Sequence, residues 1–199
     1  MPKILYSSAS PFSAKVRMCA THAGIAFESV KQDTNAPDAA FLAANPLGKI
    51  PVLLTDDGQS IFDSRAITQY LNRLSGNALF PRNAAKRTEA EVLEALADGI
   101  CDALLVHVYE RRFRPEEKVH QPWLDKQWEK ASRALDILNA NPPKLPKKIT
   151  AGQIALRACL GYLAIRFEGK WERGRSKLVR WMKRFDERFP ELAALAPQG

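Results

Sequence analysis

Three cysteines in 199 residues, Cys19, Cys101 and Cys159, are too few for a disulfide framework: their number is odd, and each stands alone within helical periodicity. The three histidines, His22, His107 and His120, keep no metal-ligand spacing with one another or with a cysteine, so no metal is expected. No apolar run approaches the roughly 20 residues that cross a bilayer, so no membrane contact is expected. A fixed-period repeat and a low-complexity tract are missing too, which excludes solenoids and disordered tethers. Met1-Pro2-Lys3 leads straight into a short apolar strand, without the long apolar region of a secretory signal, and a cytoplasmic location is the expectation. What remains is an ordinary globular composition, 46% hydrophobic and 26% charged, of a length that suits two small domains sharing an interface.

The net charge of +8 is uneven: residues 1–80 hold seven basic and six acidic side chains, residues 81–199 hold twenty-three and sixteen. Nine Lys/Arg fall between Arg166 and Arg188, a density that raises the question of a nucleic-acid contact. Leu178, Trp181, Met182, Phe185 and Phe189 recur there at helical spacing, so the basic residues read more simply as the solvated face of an amphipathic helix, and nucleic acid is not an expected partner.

The most informative stretch is Asn45-Pro46-Leu47-Gly48-Lys49-Ile50-Pro51-Val52-Leu53-Leu54, followed by Ile61-Phe62-Asp63-Ser64-Arg65-Ala66-Ile67. Asn45-Pro46 stops the helix that precedes it, Gly48 allows a tight turn, and Ile50-Pro51 opens an apolar strand, Val52 to Leu54, whose mate, Ser60 to Phe62, lies across an Asp57-Gly58 turn. A proline at the mouth of a strand leaves neighbouring backbone groups free for a ligand, and a cis Ile50-Pro51 bond would turn them outward. Asp63-Ser64 then caps a helix running to Leu74, and a helix start offers unpaired N–H groups that suit a carboxylate. Two backbone-rich features this close together point to capture of a small peptide-like anion.

Around that stretch the order is clear. Ile4 to Tyr6 is a strand, a helix starts at Pro11 and ends at Gly24, Phe27 to Val30 is a second strand, and Pro37 to Ala44 a weak helix. With the hairpin and the capped helix this makes β-α-β-α-β-β-α around a mixed four-stranded sheet, residues 1–78. Past a linker at Pro81-Arg82-Asn83 no strand is expected, and residues 84–199 form an all-α domain: Ala84 to about Phe113, Trp123 to Ala140, a helix capped at Thr150 and running through Ile165, and Ser176 to Phe189. Thr150-Ala151-Gly152-Gln153 is a capping-box pattern with Ile149 and Ile154 as its staple, and this mostly apolar helix is expected to be central.

These motifs resemble the soluble, cytosolic-type glutathione S-transferases, a family with a thioredoxin-like N-terminal domain followed by an all-helical one. Ser10-Pro11-Phe12, NPLGKIPVLL and FDSRAITQYL stand in the family's order and spacing, and ITAGQIAL resembles its buried capped helix. The Ser-Pro-Phe pattern is similar to the plant tau and bacterial serine-type branches.

The resemblance implies a glutathione site. Ile50, before Pro51, would pair its backbone with the cysteinyl residue as an added strand does; Asp63 and Ser64 would hold the γ-glutamyl end, and Lys49 the glycyl carboxylate. Ser10, at the start of the first helix, would donate to the thiolate, with Tyr6, Ser7 and Ser8 of the same loop as alternatives. Phe12, also counted with the glutathione site, and Tyr109 on the long helix would wall a pocket for a small apolar electrophile. Family membership further implies a homodimer, in which Asp98 of ADGICD would reach the partner's glutathione. Two departures stand out. Gln153 replaces the acid usual in the capping box, which suggests a weaker cap. Ser10-Pro11-Phe12-Ser13 has the outline of a dithiol motif without its sulfurs, which argues against disulfide exchange. The alternative to a transferase using glutathione as co-substrate is a non-catalytic ligand-binding or protein-interaction module on the same fold.

Overall fold

In the computed structural model, which describes all residues from Met1 to Gly199, buried Ile4 and Leu5 make Lys3–Tyr6 (β1) an inner strand of the sheet. Glu28–Lys31 (β2) runs parallel to it, with Lys3 opposite Glu28. Val52–Leu54 (β3) is antiparallel on its other side, Leu5 opposite Val52, and Ser60–Ile61 (β4) closes the hairpin. The order is β2-β1-β3-β4, the expected mixed sheet. β2 starts one residue later than the pattern suggested, because Phe27 packs against the core. Phe62 likewise leaves the hairpin to bring Asp63 to the next helix.

Pro11–His22 (α1) starts on Ser10 and is followed by Gly24, whose φ of 69° lies in the left-handed region that glycine tolerates. Ala39–Ala44 (α2) begins two residues past Pro37, since Asp38 is the cap and accepts the Phe41 N–H at 2.7 Å. Ser64–Leu74 (α3) is capped by Asp63. Asn72 then pins the linker, its Oδ1 accepting the Leu79 and Phe80 N–H groups at 3.1 and 2.9 Å.

Every later element is helical: Ala84–Phe113 (α4), a 3-10 turn at Glu116–Lys118, Gln121–Ala140 (α5), Ala151–Arg166 (α6), Ser176–Arg188 (α7) and the single turn Pro190–Ala193 (α8). α5 starts before Trp123 because Pro122 occupies its first turn. Leu178, Trp181 and Phe185 face inward from α7, so its cations are solvated as expected. Arg175, just before it, is the exception: buried, it bonds Asp136 through Nε at 2.7 Å and the Trp171 carbonyl through Nη1 at 2.9 Å. No helix is long and apolar enough to cross a membrane.

The Thr150 capping box forms: Thr150 Oγ1 accepts the Gly152 N–H at 3.3 Å, and Gln153 Oε1 accepts the Thr150 N–H at 2.8 Å, so a neutral amide closes a box usually closed by an acid. The stapling residues Ile149 and Ile154 are fully buried. Behind this cap α6 runs through the middle of the molecule, between α4 and α1. Its approach to α4 is close enough that a Cβ on Gly152 would lie 2.7 Å from the Ala90 carbonyl oxygen. One cluster of 35 buried apolar residues takes members from both halves, Ile4, Met18 and Leu71 as well as Leu104, Leu156 and Phe185.

Candidate functional site

A cleft of about 410 Å³ lies between the sheet's end and α4. Its walls carry Ser10, Phe12, Lys49, Ile50, Pro51, Asp63, Ser64, Asp98 and Tyr109, the residues to which the sequence assigned a first-choice role. These come from four loops or helices, brought together by the sheet order and by the packing of α4 against the N-terminal layer.

The loop before β3 is held by a residue that sequence reasoning took for a mere helix stop. Asn45, 2% exposed, donates through Nδ2 to the Lys49 carbonyl at 2.7 Å and accepts the Leu47 N–H at 3.1 Å. Gly48 turns the chain at φ 60°. The Ile50-Pro51 bond is cis. β3 joins the ladder only at Val52, so the N–H and C=O of Ile50 pair with no other backbone group and form an open strand edge at the cleft.

At the start of α3, Asp63 Oδ1 accepts the Arg65 N–H at 3.0 Å, while the N–H groups of Ser64 and Ala66 have no partner in the chain. Ser64 is 4% exposed, and its hydroxyl makes no hydrogen bond. An unpaired hydroxyl and two unpaired amides at a helix N-terminus are a receptor for a carboxylate.

The start of α1 is similar. Pro11 has no N–H, Ser13 donates to Ser10 Oγ at 3.2 Å and Ala14 to the Ser10 carbonyl at 3.0 Å, which leaves the Phe12 N–H as the unpaired amide of the first turn. Because Ser10 Oγ accepts the cap bond, its proton remains free to be donated. Of the alternatives, Ser7 also lines the cleft. Tyr6 and Ser8 do not: the Tyr6 ring stacks under the Arg17 guanidinium at 4.2 Å, and the Ser8 carbonyl accepts from Gln198 N at 3.0 Å.

A buried charge cluster supports this side of the cleft, and no local pattern in the sequence announces it. Lys15, 1% exposed, reaches Asp98 at 2.7 and 2.9 Å and Glu94 at 3.1 Å. Asp98 Oδ2 also accepts from Arg65 Nε at 2.9 Å, and the Thr68 hydroxyl lies 2.9 Å from Glu94 Oε1. Burial alone would depress the Lys15 ammonium, but Asp98 and Glu94 together raise its pKa above the ordinary lysine value. The bond to Asp98 likewise raises that of Arg65. Partial burial, then the neighbouring Asp98 charge, push the Asp102 carboxyl up, against the pull of Arg65, Lys15 and Lys49. Both oxygens of Asp98 are thus engaged inside its own chain.

No group of three or more His, Cys, Asp or Glu is arranged to hold a metal. The cysteines are free and buried, away from the cleft. A second groove, of about 680 Å³ between α7 and the loop at Pro142-Pro143, is lined by Lys144, Lys177, Arg180 and Arg184 and carries none of the motif residues.

Residues 9–74 match the family model described as the glutathione S-transferase N-terminal domain. The uncharacterized GST-like protein YibF of Escherichia coli (strain K12) is 34% identical over 168 residues, which cover 82% of this chain and 83% of that protein. Two solved structures superpose over all of both chains. One is a glutathione S-transferase from Methylobacillus flagellatus KT with glutathione bound, 32% identical at a TM-score of 0.90. The other, a glutathione transferase family member from Pseudomonas fluorescens Pf-5 with bound glutathione, is 35% identical at 0.89.

Proposed function

The chain belongs to the glutathione S-transferase family, and from that premise we propose that it binds glutathione in the cleft and transfers its thiolate to a small apolar electrophile. The observation that carries the reading is the set of unpaired groups converging there: the Ile50 backbone, the Ser64 hydroxyl with two α3 amides, the Lys49 ammonium, and the Ser10 hydroxyl beside the Phe12 N–H. In this reading residues 1–78 hold the peptide and residues 84–199 supply the electrophile's wall.

Ile50 pairs with the cysteinyl backbone as an added strand would. Ser64 and the α3 amides take the γ-glutamyl carboxylate, the free oxygen of Asp63 takes its ammonium, and Lys49 faces the glycyl carboxylate. Asp98 is read as the anchor of Arg65, since its oxygens are already engaged. The thiol then lies at the start of α1. An alkanol cannot deprotonate a thiol near pH 7, so Ser10 acts as a donor: together with the N-terminus of α1 it stabilises the thiolate, lowering a pKa of about 8.5 by one to two units at roughly 1.4 kcal/mol each. The sulfur attacks the electrophilic carbon, the carbon–sulfur bond forms, and the leaving group departs with its electron pair while the thiol proton has gone to water. Phe12 and Tyr109 face the space where that carbon would sit.

Thermal shift and calorimetric titration with reduced glutathione test the binding half, and an electrophile panel tests turnover. Binding without turnover of any electrophile would identify a non-catalytic module instead. A homodimer belongs to the same reading and is tested by sedimentation.

A further inference from the structure

Two guanidinium groups in the cleft have no counterion. Arg112, in the last turn of α4, and Arg166, at the end of α6, both line it. Neither makes an ion pair or a hydrogen bond within the chain, whereas the two arginines nearest Arg112 in sequence are both paired, Arg111 with Glu116 at 3.3 Å and Arg114 with Glu110 at 3.0 Å. Arg112 instead lies over the Tyr109 and Phe113 rings, at 5.9 and 6.0 Å. Tyr162 sits by them, 2% exposed and lining the same cleft, with a hydroxyl that bonds to nothing in the chain. Burial raises its pKa, and Arg166 and Arg112 are near enough to oppose that rise. The negative end of a helix favours a cation, but it does not require cations on two different helices to border one cleft.

The cleft-lining residues of α4 are graded along its axis: Asp98 and Asp102, then Leu105, Val108 and Tyr109, then Arg112. The acids lie at the Arg65 and Lys49 end. Leu105 and Arg112 are seven residues apart on one helix, roughly 10 Å at 1.5 Å per residue. An apolar face of α4 therefore lies between the acids and a pair of unneutralised arginines with a free phenol beside them.

We propose that the second substrate is an apolar electrophile carrying a carboxylate at its far end, gripped by Arg112 and Arg166 with Tyr162 donating. This rests on the reading that a glutathione thiolate attacks in this cleft, and it narrows the substrate class. Guanidinium forks fit carboxylates in bidentate fashion, and a neutral isostere leaves the same groups without a partner.

The test uses the full chain with reduced glutathione and a matched pair of electrophiles, a chlorodinitrobenzoate and its methyl ester, each kcat/KM divided by the uncatalysed rate. The acid is expected to lead by about tenfold, by the strength of charge-assisted hydrogen bonds, and the lead should shrink with added salt. In the R112Q/R166Q double variant the acid-to-ester ratio should fall near one, and R112K/R166K should restore part of it. In parallel, calorimetry compares the two S-conjugates without needing turnover, and the acid conjugate should bind tighter by a similar factor. A ratio of one or less in both rate and affinity, or a ratio that the double glutamine variant leaves unchanged, overturns the inference and leaves conjugation standing. Tight binding of the acid conjugate with turnover of neither electrophile overturns conjugation and supports the carboxylate site. Failure to bind glutathione or either conjugate overturns both.

Discussion

Replacing Ser10 by alanine removes two interactions whose effects separate cleanly. The first is the helix cap: Ser10 Oγ accepts the Ser13 N–H at 3.2 Å, and losing such a cap costs about 1 kcal/mol. The second is the donor to the bound thiol, whose loss should raise the thiol pKa by about one unit, equivalent to roughly 1.4 kcal/mol. Well below that pKa the thiolate fraction, and with it the conjugation rate, should fall by about tenfold; above both pKa values the thiol is ionised in either protein and the rates should converge. The assays are the ultraviolet thiolate band followed against pH, kcat/KM over the same range, and glutathione affinity, which should stay within a few-fold because Lys49, Ile50, Asp63 and Ser64 hold the peptide. Ser10→Gly sharpens the comparison, since glycine at a cap costs only a few tenths of a kcal/mol while removing the same hydroxyl. It should lose the thiolate as Ser10→Ala does, with a smaller drop in stability. Ser10→Cys should exchange with oxidised glutathione, forming a mixed disulfide and releasing one reduced glutathione, and so show some thiol transfer. If Ser10→Ala keeps the wild-type thiol pKa and rate while Ser7→Ala loses them, the donor is Ser7 and the assignment is refuted.

Lys15→Met should destabilise the chain by about 3–5 kcal/mol in urea unfolding, because Glu94 and Asp98 would be left buried without their shared cation. Its sign with pH is also set: a lysine whose folded pKa is raised contributes fully below the unfolded value near 10.5 and loses that contribution as pH climbs through the folded one, so the wild-type midpoint should fall above that pH more than the variant's does. Thr150→Ala should lower stability by about 1 kcal/mol with glutathione affinity unchanged, and an unaltered denaturant midpoint would show that the cap contributes nothing. Gly152→Ala should cost about 1–3 kcal/mol, since the new Cβ meets a backbone carbonyl that has no freedom to retreat. Burial raises the Cys19 and Cys101 thiols well above their usual pKa, so a chromogenic disulfide should react with no cysteine of the native protein and with three after denaturation.

Local chemistry was legible and long-range charge was not. The hairpin, the Asp63 cap and the Thr150 box each depend on residues within a few positions of one another, and their types alone decide the outcome. Lys15 and Asp98 are 83 residues apart, Arg65 and Asp98 33 apart. Each sits on a helix where a charged side chain ordinarily marks the wet face, and only the approach of α1 and α3 to α4 turns Lys15 and Asp98 inward and brings the half-exposed Arg65 onto Asp98. Asn45 misled for a related reason: asparagine before proline is a common helix stop, and its second use as a clamp on the Lys49 carbonyl needs the loop's path to be seen. The choice among Tyr6, Ser7, Ser8 and Ser10 narrowed for the same cause, since side-chain direction in a four-residue loop is set by neighbours such as Arg17 and Gln198. Arg112 and Arg166 lie on different helices, 54 positions apart, and nothing in either neighbourhood announces the other.

The single apolar cluster that takes Ile4 and Leu71 from one half and Leu156 and Phe185 from the other bears on how such a chain can change over generations. The N-terminal layer looks portable, because its motifs are compact and contiguous. Yet α1 lays one face against α6, so that layer transplanted alone would carry an uncovered hydrophobic surface and a lysine stripped of its acids. A hybrid joined at the linker would inherit a matched interface only if both parents agree at Lys15, Arg65, Glu94 and Asp98. Diversification is therefore easiest where the fold does not depend on it, on the outer reach of α4 and α6 that borders the cleft, and new specificities can be acquired there by substitution without recombining halves.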